Sequence, residues 1–191
     1  MTTDRRLAIT ALWRRLDTPG HDACWLERSA WGWHLDGAAV FREDGVVARL
    51  HYEVTCDAAW VTQHGRVRGW LDTRPVDFTI VRTNEGAWTL NGITVSGLDG
   101  CADVDLGFTP ATNALQLRRV ALANGQAAEV PAAWLDVSAG TLERLDQRYE
   151  RRTETTYGYE APRFGYAASL EVTPAGFVRV YPGLWELEPE R

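Results

Sequence analysis

Alternation of apolar and polar residues is the sequence feature that most constrains the fold of this chain. In the segment 46–56 the even positions are apolar and the odd positions are mostly polar, a pattern typical of a half-buried β-strand. The preceding dipeptide Asp44-Gly45 favours a two-residue hairpin turn, because both residues tolerate positive φ angles. A turn at this point places Phe41 opposite Ala48, so both strands direct apolar residues to the same face.

Similar turn signals recur along the chain, and they separate about thirteen candidate strands. These signals are Asp36-Gly37, Asn91-Gly92, Asp99-Gly100, Asn124-Gly125 and Thr173–Gly176. Two segments, Thr3–Leu16 and Ser138–Arg152, are compatible with either a helix or a strand. Many short strands at close spacing indicate an antiparallel sheet.

A sheet of this many strands must curl, split or close, because twist accumulates and open edges invite aggregation. We therefore predict a mainly β fold: a single large curled antiparallel sheet, or an incomplete spiral β-barrel, with at most one or two short helices. The length of 191 residues predicts a single domain over 1–191. The concave side of such a sheet is a place where ligands bind.

Composition narrows the class of partner. The formal net charge of −6 argues against a nucleic-acid partner, which would require a basic face. Three widely spaced cysteines without a CxxC pair fit reduced thiols in the cytosol. No stretch approaches the roughly 20 apolar residues of a membrane span, and no signal peptide is apparent. We expect a cytoplasmic protein with no transmembrane segment, no cofactor and no metal, and leave its oligomeric state open.

Three aspartates, Asp99, Asp103 and Asp105, lie close together in the middle of the chain. If residues 100–108 and 115–122 form a hairpin, Asp103 or Asp105 falls opposite Arg118 or Arg119. We therefore expect Asp103, Asp105 and Arg119 to form structural ion pairs across the sheet. A divalent cation site and a pair of catalytic carboxylates are the alternatives.

Candidate ligand-binding residues come from two regions that combine aromatic rings with positive charge. Arginine and tyrosine in the segments 147–152 and 157–160 suit sugar hydroxyls, carboxylates or phosphates, although they also fit a solvated strand face. Alternate residues between Trp60 and Trp70 form a second predicted lining of the concavity. The predicted ligand-binding residues are Trp60, His64, Arg66, Trp70, Arg118, Tyr149, Arg151, Tyr157 and Tyr159. We predict no catalytic residue, because no nucleophile motif is present.

Several blocks of sequence, in the same order, resemble the bacterial putative glycolipid-binding family. They are LDGCADVDLGFTPATNALQLRR (Leu98–Arg119), the segment Leu50–Trp60, QRYERR (Gln147–Arg152), YGYE (Tyr157–Glu160) and GFVRVYPGLW (Gly176–Trp185). The resemblance covers a core of about 13–185. It implies a spiralled, incomplete β-barrel similar to the periplasmic carriers of lipoproteins, and it carries over no catalytic residue.

Three functional hypotheses follow. We prefer a binding protein that holds a small amphiphilic ligand, such as a glycolipid or lipid, on the concave side of the curled sheet. The alternative is an enzyme, a hydrolase or isomerase of a small sugar or lipid, that uses Asp, His and Arg in the same cavity. A third hypothesis is a structural or protein-interaction domain whose sheet is filled by its own nine tryptophans.

Overall fold

A meander of long strands forms the first half of the protein. The computed structural model describes residues 8–43 and 45–189, so Asp44 of the predicted turn and Thr3–Leu7 of the first ambiguous segment lie outside the described residues. Its strands are β1 Ile9–Arg15, β2 Gly20–Arg28, β3 Trp33–Glu43, β4 Val46–Cys56, β5 Thr62–Leu71, β6 Arg74–Arg82, β7 Trp88–Leu90 and β8 Ile93–Val95. Phe41 pairs with Ala48, which is the register that the alternation predicts.

A second meander returns to the first strand. Its strands are β13 Arg148–Arg151, β14 Thr156–Ala161, β15 Tyr166–Val172, β16 Val178–Tyr181 and β17 Trp185–Leu187, with a 3-10 turn at Pro162–Phe164. Strand β17 pairs with β1, so the N-terminal strand lies inside the sheet. A short strand, β10 Ala127–Glu129, pairs with β13 at the far edge.

The two meanders make one sheet of fourteen strands, in the order β10-β13-β14-β15-β16-β17-β1-β2-β3-β4-β5-β6-β7-β8. In the part of the chain that the structure describes, the end strands β10 and β8 do not pair with each other, so the sheet stays open. The prediction of a mainly β fold built on a large curled antiparallel sheet is confirmed.

The chain between the two meanders, residues 103–145, forms a compact insert. The edge strand β10 lies within this range of residues but belongs to the large sheet. The insert contains β9 Asp103–Leu106, the helix α1 Ala111–Val120, β11 Ala132–Asp136 and β12 Thr141–Leu145. Strand β11 pairs in parallel with β9 and antiparallel with β12. The backbone N–H of Thr62 donates to the carbonyl of Ala102 at 3.0 Å, which fixes the start of the insert to β5.

Helix α1 corrects one prediction. The expected hairpin between residues 100–108 and 115–122 is wrong, because residues 111–120 are helical. Pro110 occupies the N-cap and has no N–H to lose, and alanine, leucine, glutamine and arginine are strong helix formers. The segment Ser138–Arg152, which could have been helical, instead contains β12 and β13. Among the described residues, no helix has the length and apolar character that crossing a membrane would require.

The insert covers the concave face of the large sheet. Inward residues of the sheet and residues of the insert, including Leu106, Leu115 and Leu135, belong to one buried apolar cluster. Two of the nine tryptophans, Trp13 and Trp88, are fully buried there. Their indole N–H groups donate to the carbonyls of Val178 and Cys101, which removes the cost of burying a donor.

A buried carboxylate connects the sheet to the insert. Asp22, on β2, accepts hydrogen bonds from the hydroxyls of Tyr52 on β4 and Thr109, which precedes α1. The Tyr52 ring crosses the intervening strand over Gly37, where any Cβ would overlap it. Burial raises the pKa of Asp22 from 3.8 to about 7, against the opposing effect of the hydrogen bonds from Thr109 and Tyr52.

We expect Asp22→Asn to reduce the pH dependence of stability. In the unfolded chain Asp22 ionises near pH 4, whereas the folded protein keeps the proton up to about pH 7. The folded state therefore binds more protons in this interval, and its free energy of unfolding falls as pH rises, by an amount on the order of 4 kcal/mol. Urea unfolding between pH 4 and pH 8 should show a smaller decline in the variant.

The matched control is Asp77→Asn, which changes an exposed carboxylate on the outer face. Its pH profile should parallel that of the wild type. A profile of Asp22→Asn that also parallels the wild type would show that Asp22 ionises normally in the folded protein.

Candidate ligand-binding site

A cleft of about 400 Å³ lies between the insert and the second meander. We call it the aromatic cleft, because six aromatic side chains line it: Trp134, Tyr159, Phe164, Tyr166, Tyr181 and Trp185. The alternation of β14, β15 and β16 directs Tyr159, Tyr166 and Tyr181 to the same side. The ring centroids of these three tyrosines are 5.5 to 6.1 Å apart, within the range of favourable ring contacts.

The floor of the aromatic cleft is polar and comes from the insert. Asp105 on β9, Thr109 just before α1, and Asn113 on α1 all line it. Arg15 and Asp17 also line the cleft, and they form an ion pair with each other at 2.8 Å. An apolar wall with a few polar groups on one side is the usual composition of a small-molecule site.

A closed hydrogen-bond network, the Asp105 network, holds this floor. The side-chain amides of Gln116 and Gln147 both donate to Oδ2 of Asp105, at 3.2 and 2.8 Å. The carbonyl oxygens of the same two amides face the hydroxyl of Tyr149, at 2.8 and 3.2 Å. Asn113 donates its amide to that hydroxyl at 2.8 Å. The network therefore joins β9, α1 and β13.

The direction of these hydrogen bonds defines the role of Asp105. Both amides donate to it, so the network suits a carboxylate that accepts. Burial raises the pKa of Asp105, the bonds from Gln147 and Gln116 oppose that rise, and the nearby Asp103 adds to it. Both amides reach the same oxygen, and among the described residues no donor forms a hydrogen bond with Oδ1. A buried acceptor is thus left available at the floor of the cleft.

The other two aspartates have different environments. Asp103 is fully buried and receives three hydrogen bonds from Nε and Nη2 of Arg119, at 2.7 to 2.9 Å. This ion pair links a strand to the last turn of α1, not two strands of a hairpin as expected. Asp105 has glutamine amides as partners, and Asp99 is exposed in a turn. The three side chains are therefore directed to three different surroundings.

An apolar trough of about 630 Å³ adjoins the aromatic cleft. Its apolar lining comes from β3, β4, β5 and the insert: Phe41, Val46, Ala48, Leu71, Phe108 and Val137. Polar residues line it as well: Asp72, Thr73, Arg74, Asp136 and Ser138. Trp134 and Gly107 line both cavities. The Trp134 indole packs on Gly107, where a Cβ would overlap its Nε1. The same indole contacts Phe164 edge-on at 5.3 Å and lies under the Arg163 guanidinium at 4.8 Å.

The predicted ligand-binding residues separate into three groups. Tyr159 lines the aromatic cleft, and Tyr149 lies beneath it in the Asp105 network. Four others line a separate cavity of about 510 Å³, which we call the arginine cavity: Trp60, Arg118, Arg151 and Tyr157. The remaining three, His64, Arg66 and Trp70, lie on the outer face of β5.

The placement of His64, Arg66 and Trp70 corrects the expected lining between Trp60 and Trp70. Cys56 pairs with Thr62 but Thr55 pairs with His64, so a register shift occurs at the start of β5. The shift leaves Thr62 buried and places the following even positions outside. There Arg66 pairs with Asp77 and Arg68 pairs with Glu53.

The aromatic cleft contains residues that sequence reasoning missed. Asp105 was expected in an ion pair, while Tyr166, Tyr181 and Trp134 were not singled out. A signal for the tyrosines existed, because Tyr166 and Tyr181 occupy inward positions of alternating strands. No local signal identifies Asn113, whose position depends on the unexpected helix α1.

These features define the class: a mainly β protein in which an open, curled sheet and a covering insert enclose a cleft between them. Residues 10–187 match the family described as Putative glycolipid-binding, and the chain belongs to that family. The chain is similar to a DUF1089 family protein from Pseudomonas aeruginosa whose crystal structure was solved at 1.80 Å resolution. The two are 26% identical, the match covers 94% of this chain and 91% of the other, and the TM-score is 0.70. No curated protein matched the chain.

Tyr149→Phe should destabilise the protein by about 1–3 kcal/mol, because it leaves buried polar groups of Asn113 and Gln116 without their partner. The control is Tyr157→Phe, since no hydrogen bond involves the Tyr157 hydroxyl among the described residues; its effect should stay within about 0.5 kcal/mol. Chemical unfolding at neutral pH measures both. Equal effects of the two substitutions would contradict a structural role for the Asp105 network.

Proposed function

We propose that this protein binds an amphiphile of the glycolipid type. The headgroup, which carries hydroxyls, occupies the aromatic cleft, and the acyl chain lies in the apolar trough. The observation that carries the proposal is the arrangement of six aromatic side chains around Asp105, a buried acceptor with an available oxygen, next to a cavity that is lined in part by apolar side chains. The family description supports the same class of ligand.

The aromatic cleft suits a sugar for two reasons. A pyranose ring has apolar C–H faces that pack on aromatic rings, while its hydroxyls require hydrogen-bond partners. Tyr159, Tyr166 and Tyr181 supply the first kind of contact. Oδ1 of Asp105, with which no donor forms a hydrogen bond among the described residues, supplies the second. A ligand without hydroxyls would leave this oxygen buried and unpaired.

The apolar trough is needed to give useful affinity. Burying about ten methylenes at ~0.8 kcal/mol each yields roughly 8 kcal/mol, from which association costs remove ~4 kcal/mol or more. The remainder corresponds to an affinity of only about 1 mM. Headgroup contacts in the aromatic cleft must therefore supply the rest of the binding energy. Since Trp134 and Gly107 border both cavities, one ligand can contact both.

Binding of n-dodecyl maltoside below its micellar concentration tests this proposal by calorimetry. We expect saturable binding that Tyr166→Leu weakens by about tenfold, since an aromatic contact is worth about 0.5–1.5 kcal/mol beyond its buried area. Trp70→Leu is the control, because Trp70 lies on the outer face of β5. If only Trp70→Leu weakened binding, or if no alkyl maltoside bound, the proposed site would be wrong.

The length of the alkyl chain provides an independent test of the apolar trough. Each added methylene between octyl and dodecyl maltoside should tighten binding about fourfold if it is buried. Val46→Asp places a charge at a lining position that is 39% exposed and should abolish this increment. Val40→Asp, at an outer position that is 52% exposed, should preserve it. The same increment in both variants would place the chain elsewhere.

A further inference from the structure

The arginine cavity, of about 510 Å³, shares no lining residue with the aromatic cleft or the apolar trough. It lies where the end of α1 meets the loops that flank β13 and β16. Two arginines from different elements reach it: Arg118 from the last turn of α1, and Arg151 from the end of β13. Its ligand chemistry is therefore separate from that of the proposed amphiphile site.

Arg118 is held in place by backbone oxygens. Its Nε and Nη2 donate to the carbonyl of Ala175 at 3.0 and 2.7 Å. Its guanidinium lies 5.8 Å from the ring centroid of Trp60. Gly176 permits this approach, because a Cβ there would come within 3.2 Å of Nε. These contacts fix the guanidinium and leave its Nη1 without a hydrogen bond among the described residues.

Arg151 is fixed in the same way. Its Nη1 donates to the backbone carbonyl of Leu122 at 2.8 Å, its Nε to the backbone carbonyl of Thr153 at 3.2 Å, and its Nη2 to the backbone carbonyl of Glu154 at 3.3 Å. Each terminal nitrogen carries two N–H groups, so Nη1 and Nη2 both retain one further donor. The guanidinium also lies 5.8 Å from the ring centroid of Tyr157.

Neither guanidinium is neutralised. Among the described residues no carboxylate lies within 4.0 Å of Arg118 or Arg151, whereas Arg119, the neighbour of Arg118, is paired with Asp103. Carbonyl dipoles orient a guanidinium without cancelling its charge. Of the described residues that line the cavity, Glu154 is the one acidic residue, so this lining has a formal charge of +1 from two arginines and one glutamate. The chain as a whole has a charge of −6.

We propose that the arginine cavity binds an oxyanion of the phosphate type. Two oriented guanidinium groups from separate elements line the same cavity, and guanidinium groups suit the oxygens of a tetrahedral anion. A phosphomonoester carries about −1.5 to −2 charges at neutral pH, opposite in sign to the net charge of the lining. The shared chemistry is the phosphate group, and its source is either a soluble phosphorylated molecule or the headgroup of a phospholipid.

Titration with inorganic phosphate, followed by ¹H–¹⁵N NMR, tests the proposal. Sodium chloride at matched ionic strength serves as the reference, because screening alone affects exposed charges. We expect saturable shifts of the Nε–H signals of Arg118 and Arg151 and of the amides of Thr155 and Gly176. Shifts that chloride reproduces, or that do not saturate, would overturn the proposal without reference to any variant.

Variants then assign the binding to the two arginines. Arg118→Gln and Arg151→Gln should each weaken phosphate binding by about tenfold or more, as expected for loss of hydrogen bonds to a charged group. Arg144→Gln is the control: Arg144 also donates to a backbone carbonyl, that of Asp99, and its loss changes the net charge equally. If Arg118→Gln fails to fold, Arg118→Lys, which retains the charge, is measured in its place. Equal affinity in all four variants would overturn the proposal.

A vesicle assay distinguishes the two sources. Co-sedimentation with phosphatidylcholine vesicles that contain phosphatidic acid, but not with pure phosphatidylcholine, supports a lipid headgroup if Arg151→Gln abolishes it. Phosphate binding without vesicle binding supports a soluble phosphorylated ligand. Neither the phosphate titration nor the vesicle assay uses an alkyl maltoside. A negative result in these assays therefore leaves the amphiphile proposal intact, and a failure of maltoside binding leaves the phosphate proposal intact.

Discussion

An open sheet of fourteen strands exposes one long apolar concave face, and covering that face is the constraint on which the rest of the structure depends. Sheets of this size curl because strand twist accumulates, so the concave face cannot be covered by a second flat sheet. The protein covers it with a short insert, α1 and a three-stranded sheet, placed between the two meanders. The aromatic cleft, the apolar trough and the arginine cavity are each lined by residues of both the insert and the sheet or its loops.

The contacts within this insert, and between the insert and the sheet, include several buried polar groups. Asp103 pairs with Arg119, Asp105 accepts from two glutamine amides, and Asp22 accepts from Tyr52 and Thr109. Purely apolar contacts would tolerate several positions of the insert, whereas directional hydrogen bonds permit few. Burying these carboxylates lowers stability, as the raised pKa values of Asp22, Asp103 and Asp105 indicate. The same hydrogen bonds hold the floor of the aromatic cleft in one geometry.

Sequence patterns predicted the sheet well and the insert poorly, for a physical reason. Strands with one face in the core and one in solvent alternate in polarity, so their register can be derived from the sequence, as for Phe41 and Ala48. In α1 the seven residues Ala111–Leu117 are all buried, so no helical period in polarity remains to be detected. The register shift at the start of β5 reverses which residues face inward. The sequence pattern therefore predicted the wrong face of the sheet for His64, Arg66 and Trp70.

Adjacent arginines at the end of α1 show how position determines the role of a charge. Successive residues of a helix point about 100° apart, so Arg118 and Arg119 face different surroundings although both lie where the helix dipole favours a cation. Arg119 faces Asp103, which is fully buried, and removing either partner would leave a costly charge. Among the described residues, the hydrogen-bond partners of Arg118 are carbonyl oxygens, and these together with a tryptophan ring orient it but leave its charge available. The same helix thus supplies one arginine that stabilises the fold and one that is free to meet an anion.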